Sequence, residues 1–528
     1  METGRPTTLA FEGMVASSHY LATAAGLEVL REGGTAADAV IAANAVLTVV
    51  YPDQTSIGGD CFLLYHEAAS GKLRALNGSG RTPRAASPEA IRAAGFKRMP
   101  VRGIHAVTVP GTIDAWSQTA ARFGRFGLDR LLRPAVEYAR DGFPVSPRLA
   151  RGITAGAGLL GMDPYAASIY LPGGTAPTAG DRLVLADLAQ SLSQIADGGR
   201  EVYYTGKIAE RIVATSERLG GALTDDDLAR HRGEWVDPIQ TEYRGVTVAG
   251  MPPNSQGMTA LLGLNLASLV SLGEWGTADH LHPLIEAKKR AFAVRDARLS
   301  DPAFAAIDTE TLLSPEFARE QWADYDPDAA TDGGESREGD TVYLCAVDRD
   351  GNAASIIQSI YMGFGSGVVV PGTGIVLQNR GAYFRLSDGH PNSFAGGKRT
   401  LHTLMPGMLY RDGALWGPIG TQGGDAQAQV HLQLVTDLVD YGMEPQAAIE
   451  APRWVAGGGT SDPATLVTLE TGFPEATRHD LAAKGHTIRV VERFNRDMGH
   501  AQMILRDPAS GLLKGGADPR ADGAALGF

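Results

Sequence analysis

Cysteine is almost missing from this chain: Cys61 and Cys345 are the only two in 528 residues. Two thiols build neither a disulfide framework nor a cysteine metal cluster, and both lie in apolar runs that read as buried strands, so Cys345 reads as packing. Long hydrophobic runs are missing too. The longest mostly apolar stretch, Ala39 to Val50, is too short to cross a bilayer and stops before Pro52. The opening residues METGRPTTLAFEGMVA hold no apolar core of signal-peptide length, so the expectation is a cytoplasmic protein with no membrane partner. Positive charge is also scarce. With 47 basic against 60 acidic residues and a net charge of −13, binding a nucleic-acid backbone is excluded as the main task. Glycine, by contrast, is abundant, at 66 of the 528 residues, well above a usual share of roughly 7%. In a chain of ordinary hydrophobic content that excess implies tight turns and close backbone packing.

Residues Tyr20 to Arg31 carry a helical apolar stripe closed by Gly33-Gly34, and Thr35-Ala-Ala-Asp38 opens a second, small-residue helix suited to burial against a sheet. Further helices are predicted over Leu132 to Arg140, with its proline in the first turn, Val184 to Ile195 and Leu281 to Arg298. Strands are predicted over Cys61 to Tyr65, Val246 to Ala249, Val342 to Val347, Ala353 to Ser359, Gly374 to Leu377, Leu415 to Gly417 and Met503 to Arg506. His280 and His282 form an H-x-H pair, but at a helix start before Pro283 they read as structural, and no metal or other cofactor is expected. The stretch 326–340, DPDAATDGGESREGD, is acidic, glycine-rich and without an apolar anchor, so it reads as an exposed, mobile tail.

At Asp340-Thr341 that tail meets TVYLCAV, a well-defined strand. Threonine is a good strand residue and loops end somewhere, which is the plain reading. The chemical reading is self-cleavage: a Thr341 freed at its amine gains a general base beside its own hydroxyl. An α-amine titrates near 8, close enough to neutrality to act without large tuning.

The surroundings favour the chemical reading. The string TVYLCAVDRDGNAASIIQSIYMGFGSGVVVPGTGIVLQNRGAYF resembles the start of the small subunit of the γ-glutamyltranspeptidase family. It has the threonine, a strand ending at Asp348, the Asp350-Gly351-Asn352 turn, Phe364-Gly365-Ser366-Gly367, and Gly374 through Asn379. Upstream, GMVASSHYLATAAGLEVLREGGTAADAVIAAN, IGGDCFLL, AVTVPGTIDAW, EYRGVTVAGMPPNSQG and EAKKRAFAVRDARLSDPAF follow the family order. The resemblance therefore runs over nearly the whole chain.

What it implies is an α+β fold of N-terminal-nucleophile type, a four-layer αββα sandwich. Residues 1–340 would form a large subunit and 341–528 a small one, both sharing one core, with a homodimer of this unit left open. Thr341 would be the nucleophile after scission next to Asp340. Ser359 stands where the family has a supporting threonine, and Gly423 and Gly424, in GTQGGDAQ, stand where it places its oxyanion donors.

The substrate-reading positions depart from true γ-glutamyl enzymes. The family's arginine column holds Ser79, with Arg81 two residues on and so on the same face of an extended segment. Tyr383 replaces the acid that binds the glutamyl amine, Tyr361 the neighbouring asparagine and Arg380 a glutamine; His402-Thr403 replaces a serine pair. Losing an acid and gaining an arginine favours an acyl group that carries a carboxylate without an amine. The pattern resembles the branch with oxamate amidohydrolase and cephalosporin or glutaryl acylases. The small-molecule substrate expected is an amide of such an acyl group. A γ-glutamyl transferase or glutathione hydrolase is the alternative, and an unprocessed anion-binding relative a third.

Overall fold

The computed structural model describes residues 3–333, 336, 337, 339–459 and 461–528. Fourteen strands form the two main sheets. In chain order they are β1 (Thr8–Ala10), β2 (Met14–Ser17), β3 (Asp60–Glu67), β4 (Lys72–Gly78), β5 (Glu234–Val236), β6 (Ile239–Tyr243) and β7 (Val246–Gly250). They continue with β8 (Asp340–Val347), β9 (Ala353–Tyr361), β10 (Gly407–Arg411), β11 (Ala414–Thr421), β12 (Ala501–Arg506), β13 (Leu513–Ala517) and β14 (Ala524–Gly527). One seven-stranded sheet runs β1-β13-β12-β11-β10-β7-β6 and the other β14-β2-β8-β9-β3-β4-β5, all antiparallel.

The two-residue period of a strand assigns the layers. In β8, Tyr343, Cys345 and Val347 join Phe62, Met408 and Ile504 in a cluster between the sheets. Val342, Leu344 and Ala346 face outward into a larger cluster with the helices. Those helices include α1 (Tyr20–Arg31) and α2 (Ala36–Val50), with α3 (Leu128–Asp141) packed on α2. Helix α2 is buried along its whole length, and Thr35 and Asp38 cap it reciprocally. Its alanines admit α1 so closely that a Cβ on Gly26 would stand 2.9 Å from the Ala39 carbonyl oxygen. On the outer face of the first sheet lie α4 (Gly257–Ala267), α5 (Ala278–Arg298) and α6 (Ala426–Val439). The result is the expected αββα sandwich.

Chain on either side of position 341 supplies strands to both sheets: β8 pairs with β2 and β9 with β3 in one, and β13 pairs with β1 and β10 with β7 in the other. Both main sheets are thus woven from residues 1–340 and 341–528 together.

Two expectations need correction. Helix α3 starts at Leu128, so Pro134 sits in its interior; the buried stripe Leu131, Leu132, Ala135 and Ala139 extends the helix upstream of the predicted start. The acidic segment is not a free tail where it is described (334, 335 and 338 lie outside the described residues). Ala330 N–H donates to Lys484 O at 2.6 Å, Gly333 N–H to Ala464 O at 2.9 Å, and Thr331 bonds the Glu286 carboxylate. Backbone bonds of this kind need no apolar side chains, which is why composition misses them.

Candidate active site

Thr341 and Ser359 lie on neighbouring strands at the end of the β8–β9 pair, beside a register shift between Asp340 and Val342. Such a bulge re-aims side chains at a strand end. Thr341 Oγ1 donates to the Asp340 carbonyl oxygen at 2.7 Å and to Ser359 Oγ at 3.2 Å. Ser359 Oγ donates to the same carbonyl oxygen at 2.6 Å and accepts from Tyr361 N–H at 2.7 Å. Tyr361 takes a positive φ of 78°, a conformation a tyrosine holds only when its surroundings enforce it. A hydroxyl and a hydrogen-bonded carbonyl are thereby juxtaposed across one peptide bond.

Several residues that sequence reasoning missed hold this arrangement. With its amide oriented as these neighbours demand, Gln54 donates to the Thr341 carbonyl oxygen at 2.9 Å and accepts from Arg148. Arg148 lies 4.9 Å over the Tyr51 ring and 3.7 Å from the Asp53 carboxylate. Burial raises Asp53 to a pKa of about 7 despite Arg148. Asp340 is half-buried, and its carboxyl is raised by desolvation against the pull of Arg148 and Arg496.

Opposite the threonine, β11 of the other sheet ends and the chain turns through Gly423 and Gly424, with φ of 128° and 55°. Among the described residues neither glycine amide has an acceptor. Gln256 Nε2 fixes the turn by donating to Gly424 O at 3.0 Å and to Thr403 O at 2.9 Å, while Arg295 holds Gln256 Oε1 at 3.0 Å. Arg295 also pairs with Asp425 at 2.8 Å. Burial pushes the Asp425 carboxyl up, but Arg295 and the Tyr383 hydroxyl at 2.6 Å outweigh it and hold it below the usual carboxylate range.

Arg380 is buried at 1% exposure. Its guanidinium reaches Thr403 Oγ1 at 3.0 Å and Ser359 Oγ at 3.4 Å, and lies 4.4 Å over the Tyr361 ring. Its Nε has no partner and, among the described residues, it makes no ion pair with a carboxylate. Desolvating an unpaired guanidinium costs several kcal/mol, and burial lowers its pKa. A plain structural ion pair does not account for Arg380.

His402 and Arg81 have other partners. His402 Nε2 meets Asp60 Oδ2 at 2.9 Å while its Nδ1 accepts from Leu404 N–H, and burial lowers its pKa to about 4. It is neutral at neutral pH and faces protein groups. Arg81 is engaged by Asp301 at 2.7 Å and Glu234 at 3.1 Å and lines a separate cavity with Arg399. The same-face argument fails because β4 ends at Gly78, and the chain beyond it no longer alternates as a strand.

The metal question has one geometric candidate among the described residues. His282, Glu286 and His486 bring ligand atoms within 4.8 Å of one another. Lys289 and Arg290 both bind the Glu286 carboxylate at 2.8 Å, however, so the positive charge is already supplied. His280 instead accepts from Gly276 N–H. No helix of the described residues is long and apolar enough to cross a membrane.

The gamma-glutamyltranspeptidase family profile matches residues 22–528. The chain belongs to this family. It is accordingly an amidohydrolase of the N-terminal-nucleophile class, made as a self-processing precursor. A glutathione hydrolase-like YwrD proenzyme of Bacillus subtilis is 42% identical over 518 residues, 98% of each chain. The oxamate amidohydrolase proenzyme of Klebsiella pneumoniae is 38% identical over 525 residues, again 98% of each. Among solved structures, the cephalosporin acylase from Bacillus halodurans superposes with a TM-score of 0.95 at 40% identity, covering 100% of this chain and 98% of that one. This γ-glutamyltranspeptidase-family member thus shares its fold with relatives whose names carry different substrates.

Proposed function

We propose that the chain cuts itself between Asp340 and Thr341 and then hydrolyses the amide of a small carboxylate-bearing acyl group. The observation that carries this reading is Thr341 Oγ1, 2.7 Å from the carbonyl oxygen of the residue before it, with Ser359 donating to that same oxygen. Thr341 Oγ1 adds to the Asp340 carbonyl carbon, the C–N bond breaks, and an ester forms as the nitrogen becomes the Thr341 α-amine. Water hydrolyses the ester, leaving residues 1–340 and 341–528 as two subunits.

In turnover the α-amine takes the hydroxyl proton, Thr341 Oγ1 attacks the substrate carbonyl, and the Gly423 and Gly424 amides receive the oxyanion. The amine or ammonia leaves with the returned proton, and water releases the acid. Arg380, one hydrogen bond from Ser359, supplies positive charge beside the reacting carbonyl and suits a carboxylate attached close to it, as in oxamate. Tyr361, Tyr383 and Thr403 form the wall around it. The YwrD-like relative supports γ-glutamyl substrates as the second reading.

The test is amino-terminal sequencing of purified protein, with amidase assays on oxamate, glutaryl amides and γ-glutamyl anilide. A terminus reading Thr-Val-Tyr-Leu-Cys and loss of all activity in Thr341→Ala are expected. An active, uncut chain overturns the reading.

A further inference from the structure

The self-cleavage ester and the acyl-enzyme of turnover are the same covalent arrangement, an acyl group on Thr341 Oγ1. The acyl residue of the first reaction is Asp340. Where its side chain lies in the precursor therefore marks space that an acyl substituent reaches from that oxygen.

That side chain points into a built environment. Asp340 Oδ2 lies against Gly363, 3.1 Å from where a Cβ would stand there, and the Gly363 amide faces it. Arg148 and Arg496 line a cavity with it, and among the described residues no arginine nitrogen comes within 4.0 Å of its carboxylate, so these two and Arg102 act on its charge from farther off. Arg148, Gly339, Asp340, Gly423 and Arg496 are among the residues lining one cavity of about 290 Å³. The acids facing the same place are Asp53, beside Arg148, Asp497 and, on the wall of that cavity, Asp462, which pairs with Arg489 at 2.6 Å. Removing Asp340 from this setting leaves five arginines, Arg102, Arg148, Arg337, Arg489 and Arg496, against the three acids Asp53, Asp462 and Asp497, with Asp53 shifted toward its neutral form.

From its carbonyl carbon through Cα and Cβ to its carboxylate, Asp340 has the four-carbon skeleton of a succinyl group. We infer that Asp340 occupies the place taken in the mature enzyme by the distal carboxylate of a succinyl-type acyl group, with Arg148, Arg496 and the Gly363 amide as its receptors. This rests on the reading of Thr341 as nucleophile and narrows the acyl group. It also separates two anion receptors. Arg380 touches Ser359, which bonds the carbonyl oxygen itself, whereas the Asp340 cradle lies at the far end of a two-carbon spacer.

The experiment uses the processed enzyme and measures ammonia released from oxamate, succinamate and glutaramate. Succinamate is expected to exceed both in kcat/KM by about tenfold or more, the ordinary discrimination of a fitted site for one methylene, since glutaramate is one methylene longer and oxamate two shorter. Arg496 is an exposed side chain, so Arg496→Ala tests the cradle with little risk to folding. It is expected to lower the succinamate-to-oxamate ratio of kcat/KM by about tenfold. No preference for succinamate, or an unchanged ratio in Arg496→Ala, overturns the cradle. Hydrolysis of other amides in that case leaves the nucleophile standing, whereas failure to cut any amide, with no Thr341 terminus, sinks the underlying reading instead.

Discussion

Ser359 Oγ stands 2.6 Å from the Asp340 carbonyl oxygen and 3.2 Å from Thr341 Oγ1, so one hydroxyl touches both the carbonyl of the proposed scission site and the proposed nucleophile. Removing a donor aimed at a developing oxyanion typically costs about 10²-fold or more in rate. Ser359→Ala is expected to slow precursor scission by that order, and Ser359→Thr to restore it. Time courses on denaturing gels read both, and a Ser359→Ala chain that matures at the normal rate removes the serine from the mechanism.

Gly423 has a φ of 128°, and a Cβ there would stand 3.2 Å from Gly499 Cα. Gly423→Ala thus meets both a conformation that L side chains avoid and a backbone neighbour, a strain on the order of 1–3 kcal/mol. A fall in kcat without a matching rise in KM is the expected signature of a displaced oxyanion donor. A rise in KM alone points instead to a ground-state contact.

Arg380 separates function from stability. Replacing a buried, unpaired cation with an apolar side chain of similar length is often neutral or stabilising. Arg380→Met is expected to keep or raise the melting temperature while selectively damaging oxamate, whose carboxylate is attached directly to the reacting carbonyl. Equal loss on a neutral amide refutes the clamp.

Burial holds His19, His231, His280, His402 and His431 at pKa values of about 4. In the unfolded chain histidine titrates near 6.5, so between those values the unfolded state binds more protons and stability falls as pH drops. Asp53 and Asp437, raised by burial to about 7, act the other way, because the folded state holds their protons. The histidines outnumber them. Calorimetry should show the melting temperature declining as pH falls below about 6.5; a flat profile down to pH 5 contradicts the balance.

The family and the fold were legible beforehand, and the residues of the candidate site sit in local strings. Thr341, Ser359 and the Gly423-Gly424 turn each belong to a motif read within a few positions. Helix Tyr20–Arg31 follows from its apolar period, and its observed bounds match the prediction. What escaped was held together across the chain. Arg295 meets Asp425 from 130 positions away, and His402 meets Asp60 from 342. No spacing rule announces such pairs. Arg81 misled for a related reason: alternation was extended past the last residue of its strand.

The interleaved sheets have a consequence for how an amine reaches this location. A protein synthesised with Thr341 as its first residue would have to bring a charged end of the chain into the middle of a half-assembled sandwich. Folding first as one uninterrupted thread seats β8 between β2 and β9 while the amine is still an uncharged amide. With the scission proposed before Thr341, the ionisable end is then uncovered in place, after the walls that orient it have already set.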